Sequence, residues 1–322
     1  MLKQELAVSK KSGYAEGTSI NLRIQWKSFL LFCFHFKLLP VPVSTETLSL
    51  YAQFLSRSFA STDSIRNYVS GVRTMHLLLG VDLKINDFLL NLGLKGINRL
   101  HPHCVKQALP ITPRILKDMR HLLNLSTPID ATFWCLCLFA FFLLARKSNL
   151  VLNNKNDSSK RYFLRSDVTQ NGDTLFVAFR WSKTLQFGER QLIIPLVRSS
   201  SDLCPVSAFE LMLRLCPVSP EKPLFSWSSG CAFTYSAFQS KLKFLIKSLG
   251  LNSDNYSTHS FRRGGATLAF QAGISSELIQ LQGDWRSDAY KKYLTFSIND
   301  KVQVAQQMNA FLLSRPLTDS AI

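Results

Sequence analysis

The amino-acid sequence predicts two domains: an α-helical domain, followed by a mixed α+β, mainly helical domain with a small antiparallel three-stranded sheet. The 322 residues exceed the length of one typical domain. The first third shows apolar residues at helical spacing, whereas β-rich runs appear only near the middle of the chain. We therefore expect a first domain over residues 1–97, a linker over 98–113 and a second domain over 114–322.

Four helices are predicted in the first domain, where apolar residues recur at helical spacing. They cover residues 18–36, 44–59, 61–80 and, with a weaker pattern, 85–97. The first stops before the prolines at 40 and 42, and the third closes on Gly80, a common residue at helix ends. The stretch "NRLHPHCVKQALPITP", with its three prolines, then interrupts the pattern and indicates a linker between domains.

The second domain begins with helices at about 113–125 and 129–145. The segment 131–145 is apolar on every face, but its 15 residues are fewer than the roughly 20 that a membrane span needs, so we expect a buried helix. The sheet is predicted from the β-rich runs 161–168, 173–181 and 190–197, which are separated by "TQNG" and "SKTLQFGE". Helices then follow at about 205–216, 234–249, 260–272, 275–283, 286–294 and 299–314.

The charge of the chain indicates its partner. Lys+Arg 38 against Asp+Glu 21 gives a net charge of +17, a balance typical of proteins that bind phosphate-rich nucleic acid. The seven cysteines are scattered without a C-x-x-C pair, and "HPHC" at 101–104 lacks a second ligand pair, so we expect no metal. The amino terminus has no apolar secretory run, which favours an intracellular protein.

The stretch "THSFRRGGATLAFQAG" concentrates the residues most suited to phosphate chemistry. His259 and Arg262 lie one helical turn apart at a helix start, where a guanidinium fork and an imidazole can reach one phosphate. Gly264 and Gly265 allow another backbone or a bulky ligand to come close. Alone, this motif is weak evidence for a phosphate site, because a capping histidine beside a surface arginine gives the same pattern.

Three further features strengthen the motif. Arg146 ends the apolar helix, so its charge needs a partner. Lys183 lies in the turn of the second hairpin, within "WSKTL", and "QGDWRSDAYKKYL" carries Tyr290 and Tyr293. Taken in this order, the motifs resemble the tyrosine recombinase (phage integrase) family, whose sites read Arg, Lys in a β-hairpin, His-x-x-Arg, His or Trp, then Tyr.

The resemblance covers most of the chain and implies the DNA breaking-rejoining enzyme fold behind a helical core-binding, DNA-clamping domain. "HSFRRGGATLAFQAG" followed by "GDW-x-S-x-A-x-x-x-Y" is most similar to recombinases of eukaryotic DIRS, Ngaro and crypton mobile elements. It implies a site-specific recombinase or integrase that cuts and rejoins double-stranded DNA through a covalent 3′-phosphotyrosine. Such an enzyme needs neither metal nor cofactor, and a nuclear location follows from the mobile-element resemblance.

The resemblance also implies the site residues. Arg146 and Arg262 would bind the scissile phosphate, and His259 would assist them. Lys183 would protonate the leaving oxygen. Tyr293 would be the nucleophile, because it stands in the family-like "KKYL" context, while Tyr290 remains the alternative.

Two positions depart from the family pattern. Asn149 stands where an acidic residue is usual, three positions after Arg146, and its amide oxygen can still orient a neighbouring guanidinium. The His or Trp normally lies nine residues before the tyrosine, but Trp285 is eight before Tyr293 and nine falls on Asp284. We favour Trp285, because an indole N–H can donate to a phosphate oxygen that a carboxylate would repel.

Other functions compatible with this sequence are a catalytically inactive DNA-binding protein derived from a mobile element and a type IB topoisomerase, which uses the same chemistry. The segment 297–316 is an amphipathic helical pattern, with an apolar face that fits a docking surface. It would pack on its own domain or, as the resemblance implies, on a neighbouring protomer in a tetramer assembled on DNA.

Overall fold

The computed structural model of the chain describes residues 1–103, 107–181, 192–228 and 230–294, and of the remainder residues 298, 302, 303, 305–307, 309 and 310. The chain divides into two compact units, Met1–Lys106 and Gln107–Ile322. Among the described residues, no helix combines the length and the apolar character that a membrane span requires.

The first unit consists of helices. They are α1 (Leu2–Ser12), α2 (Glu16–Phe36), α3 (Thr45–Leu55), α4 (Thr62–Leu78) and α5 (Asp87–Leu100). Helices α2 to α5 match the predicted ones and enclose an aromatic core in which Phe29 and Tyr51 are fully buried. Ser44 and Asn86 cap α3 and α5 by accepting backbone N–H bonds, as the sequence pattern of polar helix starts requires.

Helix α1 is an addition to the prediction. Its described side chains are all exposed, so it has no buried apolar face and therefore no apolar periodicity for the sequence to show. Helix α5 ends at Leu100, a few residues into the segment predicted to be a linker.

The second unit is mainly helical. Its α-helices are α6 (Pro113–His121), α7 (Pro128–Phe142), α8 (Lys147–Leu150), α9 (Pro205–Leu215), α10 (Tyr235–Ser248), α11 (His259–Gln271) and α12 (Ser276–Gln282). Helix α7 begins where Thr127 accepts from the Asp130 N–H and Pro128 occupies the first turn. Residues 131–141 are all buried, so α7 is the centre of the larger core, as its all-apolar sequence predicts.

A small antiparallel sheet flanks these helices. Its strands are β1 (Val168–Asn171), β2 (Thr174–Phe179) and β3 (Leu192–Val197), in the order β1-β2-β3. Gly172, at a φ of +55°, makes the tight turn between β1 and β2. Alternate residues of β2 are buried against the core. A separate hairpin, β4 (Ser226–Ser228) and β5 (Cys231–Ala232), was not predicted.

The first predicted strand, 161–168, is wrong in position, because the strand begins only at Val168. Asp167 accepts from the Leu164 backbone N–H at 2.7 Å and forms an ion pair with Arg180 at 2.7 Å. These contacts fold Arg165–Asp167 into a 3-10 helix instead of extended backbone. The predicted helix 286–294 is likewise a 3-10 helix, Asp288–Tyr293. The predicted helix 299–314 lies mostly outside the described residues.

Helix α11 packs unusually closely on its neighbours. A Cβ atom at Gly265 would overlap the Phe141 carbonyl oxygen at the end of α7, and one at Gly264 would overlap the carbonyl of Ile111. The Ile111 N–H donates to the Ser260 carbonyl at 2.9 Å, which ties the same segment to the first turn of α11. The two glycines therefore allow a backbone-to-backbone approach that brings the start of α11 to the end of α7.

We expect Gly265→Ala to lower the free energy of unfolding by about 1–3 kcal/mol, because the added methyl group has no space. The matched control is Gly96→Ala in α5, where a Cβ meets nothing within 4 Å and better helix propensity should stabilise by up to about 1 kcal/mol. Urea unfolding followed by circular dichroism measures both. A Gly265→Ala protein as stable as the original would contradict this account of the packing.

Candidate active site

A buried arginine is the centre of the site. Arg262, in the first turn of α11, is 2% exposed. Its Nη1 donates to the Leu144 carbonyl oxygen just after α7, and its Nη2 donates to the Gly283 carbonyl oxygen at 2.6 Å, just after α12. One guanidinium thus joins the ends of two helices to the start of a third.

The charge of Arg262 lies beside aromatic rings and is favoured by the nearby Asp284 carboxylate. Its guanidinium carbon lies 3.8 Å from the centre of the Trp285 ring and 5.5 Å from that of Tyr293, which are cation–π distances. Burial first, and then the charge of Arg146, lower the pKa of Arg262 to about 9, so it stays charged at neutral pH. Within the described part of the chain, its Nε has no hydrogen-bond acceptor. An approaching anion would be stabilised by this charge.

Arg146 lies in the turn between α7 and α8 and is the N-cap residue of α8. Its Nη1 donates to Asp284 Oδ2 at 3.1 Å, and its Nη2 donates to the Asp284 backbone oxygen at 2.8 Å. The Arg146 side chain is 26% exposed and that of Asp284 is 2% exposed. The guanidinium therefore has a buried anchor and an edge open to solvent.

His259 is the first residue of α11 and its ring centre lies 4.8 Å from that of Tyr293. The residue as a whole is exposed, and its ring contacts the Tyr293 ring. Partial burial, followed by the charges of three arginines, lowers the pKa of His259 from 6.5 to about 4. These arginines are Arg262, Arg263 and Arg146, in decreasing order of their effect on the pKa. The imidazole is therefore neutral at pH 7 and can accept a proton.

The two candidate tyrosines have different surroundings. Tyr290 is 3% exposed and belongs to a small core cluster with Leu144 and Ile279. Tyr293 is only partly buried, and its ring lies between those of His259 and Trp285, with a centre 5.2 Å from that of Trp285. The structure thus places Tyr293 beside the charged residues and makes Tyr290 a packing residue.

Trp285 and Asp284 contact different arginines of the site. Trp285 stacks against the Arg262 guanidinium, whereas Asp284 bonds to Arg146. Asp284 has a φ of +53°, a left-handed conformation that turns the chain away at the end of α12. Donation from the Trp285 indole to a phosphate stays a prediction.

Asn149 does not orient Arg146 as its position in the sequence suggested. Its Nδ2 donates instead to the Trp181 carbonyl oxygen at 2.6 Å, two residues after β2. Its Oδ1 is buried and has no hydrogen-bond donor among the residues that the structure describes. Asn149 therefore holds the segment that directly follows β2.

Lys183, predicted to be in the hairpin turn after β2, lies outside the described residues. Sequence reasoning missed the pairing of Arg146 with Asp284, which are 138 positions apart. It also missed Arg263, whose Nη1 donates to Gln107 at 2.7 Å and to the Lys292 carbonyl at 3.0 Å, next to Tyr293. The described residues contain no group of three His, Cys, Asp or Glu side chains that could hold a metal ion.

Comparison with known proteins identifies the fold. No protein-family model and no curated protein matches the chain. Among solved structures, a lambda integrase fragment, crystallised as a dimer bound to a COC′ core site, aligns with a TM-score of 0.61. The alignment has 14% identity and covers 91% of this chain and 94% of the other. The Tn1549 transposon integrase in complex with transposon right end DNA gives 0.59, with 12% identity over 95% and 98%. XerH site-specific recombinase bound to palindromic difH substrate, in a post-cleavage complex, gives 0.54, with 16% identity over 83% and 70%.

These TM-scores, which are all above 0.5, establish a shared fold. The chain has the mainly helical architecture with a small antiparallel three-stranded sheet that characterises tyrosine recombinase catalytic domains, and the predicted fold class is confirmed. The structures that share it are site-specific recombinases and integrases.

We expect His259 to titrate well below its ordinary pKa of 6.5, near 4, in the free protein. Protonation is disfavoured in the folded state, so this residue's contribution to stability is complete above pH 6.5 and is lost as the pH falls toward 4. Proton NMR of the imidazole, assigned with His259→Gln, measures the titration. A midpoint near 6.5 would show that neither burial nor the arginines act on this ring.

Proposed function

We propose that the chain is a site-specific DNA recombinase or integrase that cuts and rejoins DNA through a covalent 3′-phosphotyrosine. The observation that carries the proposal is the position of Tyr293. The centre of its ring lies 4.8 Å from the centre of the neutral His259 ring. It lies 5.5 Å from the guanidinium carbon of the buried Arg262. A nucleophile, a proton acceptor and an anion-binding group are therefore adjacent.

The residues suggest how the reaction proceeds. The Tyr293 oxygen attacks the scissile phosphorus and the bond to the 5′-oxygen breaks, which leaves a 3′-phosphotyrosine and a 5′-hydroxyl. His259 accepts the phenol proton, and the Lys183 ammonium gives a proton to the leaving 5′-oxygen. Arg146 and Arg262 stabilise the charge that builds on the non-bridging oxygens. Attack by the 5′-hydroxyl of another strand then reseals the backbone and releases Tyr293.

Double-stranded DNA is the partner that the net charge of +17 favours. In this proposal, the helical first unit is the core-binding domain that clamps DNA, and the chemistry needs no metal or cofactor, since the bond energy is kept in the phosphotyrosine. We further propose that the chain serves integration of a eukaryotic mobile element of the DIRS, Ngaro or crypton type and acts in the nucleus. The sequence "HSFRRGGATLAFQAG" is the support for this origin.

The alternative is a catalytically inactive DNA-binding protein derived from a mobile element. The arrangement of Tyr293, His259 and Arg262 favours the enzyme, because an inactive binder has no need of a tyrosine held between a neutral imidazole and a buried cation. A type IB topoisomerase would share the covalent step. Strand exchange between two DNA sites separates a recombinase from an enzyme that only relaxes supercoils.

Tyr293→Phe should abolish covalent complex formation while leaving DNA binding unchanged, because only the nucleophilic oxygen is removed. A pool of nicked duplexes of randomised sequence traps the complex, since the short strand beyond the nick diffuses away after cutting. Denaturing electrophoresis then detects the protein–DNA adduct.

The matched control is Tyr290→Phe, which removes a hydroxyl from the core cluster and should still form the adduct. An adduct formed by Tyr293→Phe would exclude this tyrosine as the nucleophile. If the unaltered protein binds the duplexes without forming any adduct, the inactive DNA-binding protein is the correct alternative.

Assembly into a tetramer on paired DNA sites is a further part of the proposal. The segment 297–316 has an amphipathic pattern, and the second unit carries an apolar groove between α7, β3, α11 and α12. Groove residues include Phe142, Leu268, Ile274 and Leu278. An apolar helix face needs such a surface, either on its own domain or on a neighbouring protomer.

We expect truncation after Thr295 to reduce strand exchange far more than binding to a single duplex, because helix exchange links protomers only in the assembly. Strand exchange and gel-shift assays measure the two activities, and a thermal melt shows whether the truncated protein is folded. Normal recombination by the truncated protein would contradict the exchanged helix. Unfolding would instead show that the segment packs on its own domain.

A further inference from the structure

We infer that Asp284 is the positioning residue that orients Arg146 toward the scissile phosphate, an inference that rests on the proposed function. Arg146 makes two hydrogen bonds to this one residue, to the Oδ2 atom at 3.1 Å and to the backbone oxygen at 2.8 Å. Two acceptors, one on the side chain and one on the backbone, fix both the position and the plane of the guanidinium.

The difference in exposure shows that Asp284 supports Arg146 rather than competing with DNA for it. The Asp284 side chain is 2% exposed, whereas that of Arg146 is 26% exposed. A phosphate that approaches from solvent therefore meets the guanidinium before the carboxylate. A guanidinium has five N–H donors, so donors remain for phosphate oxygens after the two bonds to Asp284 are made.

The turn after α12 links the two arginines of the site. The Gly283 carbonyl accepts from Arg262 and the next residue, Asp284, accepts from Arg146. Consecutive residues thus hold the two guanidinium groups, so the geometry of one turn sets their separation. Asp284 has a φ of +53° in this turn, and both its carboxylate and its carbonyl contact Arg146.

Asn149 cannot substitute for Asp284 in this role. Its Nδ2 donates to the Trp181 carbonyl at 2.6 Å, its Oδ1 accepts from none of the described residues, Arg146 included, and the residue carries no charge. A carboxylate balances the positive charge of Arg146 as well as orienting it, which an amide does not. Asp284 is therefore the acidic partner of Arg146, although it is 138 residues away in sequence.

Asp284→Asn tests the inference with little disturbance. Asparagine tolerates the left-handed backbone conformation and keeps the backbone carbonyl, so the variant removes chiefly the carboxylate charge. We expect unchanged duplex affinity, and a rate of adduct formation at saturating DNA that falls by up to roughly 100-fold because Arg146 loses the charged partner that holds it in place. Asp284→Gly, which also tolerates a positive φ, should show the same loss.

A second arm separates positioning from general structural support. In an Arg146→Ala background, Asp284→Asn should cause a much smaller loss of rate than it does alone, because a residue that acts mainly through Arg146 then has little left to orient. The matched control is Asp288→Asn, which removes an exposed carboxylate paired with Lys291 at 2.6 Å and should leave the rate unchanged.

The outcomes discriminate between the two proposals. No adduct from the unaltered protein would overturn the proposed function and this inference with it. An active protein whose Asp284→Asn variant reacts at the original rate, or faster, would overturn the inference alone, and a faster reaction would identify the carboxylate as a competitor of phosphate. Additive losses in the Arg146→Ala background, or failure of both the Asn and Gly variants to fold, would make Asp284 a structural residue and also overturn the inference.

Discussion

The burial of the Arg262 charge is the constraint on which the site depends. A buried cation is costly unless hydrogen bonds and nearby electron density compensate it. Here the compensation comes from the Leu144 and Gly283 carbonyls and from the face of Trp285. These groups lie on two segments, one just after α7 and one just after α12, so the ends of α7 and α12 must meet the start of α11. The glycines at 264 and 265 make this approach sterically possible.

The electrostatics of the site follow from the same constraint. Arg262 and Arg146 repel each other, and burial, followed by the charges of Arg262, Arg263 and Arg146, lowers the pKa of His259. An anion bound between the arginines would relieve that repulsion and favour protonation of the imidazole. The free site therefore holds a neutral histidine beside Tyr293 and carries excess positive charge, and binding of a phosphodiester would change both properties together.

The sequence was sufficient for the fold class because its signals are local. The apolar run of α7, the helical periodicity of α2 to α5 and the β-rich runs each depend on neighbouring residues. Strand β1 was misplaced because the Asp167 ion pair with Arg180, which holds the 3-10 turn before the strand, forms only when the hairpin is folded. Helix α1 left no signal because it buries no face.

The site was predicted less completely, for a similar reason. His259 and Arg262 share one helical turn, so their proximity could be derived from spacing. The pairing of Arg146 with Asp284 could not, because only the fold brings the ends of α7 and α12 together. The choice between Tyr290 and Tyr293 also required burial, since both stand in one short basic segment.

Peptide mapping of the covalent protein–DNA adduct is the most direct test of the central claim. Trypsin cuts after Lys291 and Lys292, which separates the peptide that contains Tyr290 from the one that contains Tyr293. After nuclease digestion, mass spectrometry should find the nucleotide remnant on the Tyr293 peptide, linked through its 3′-phosphate. A remnant on the Tyr290 peptide, or on any residue other than tyrosine, would contradict the account.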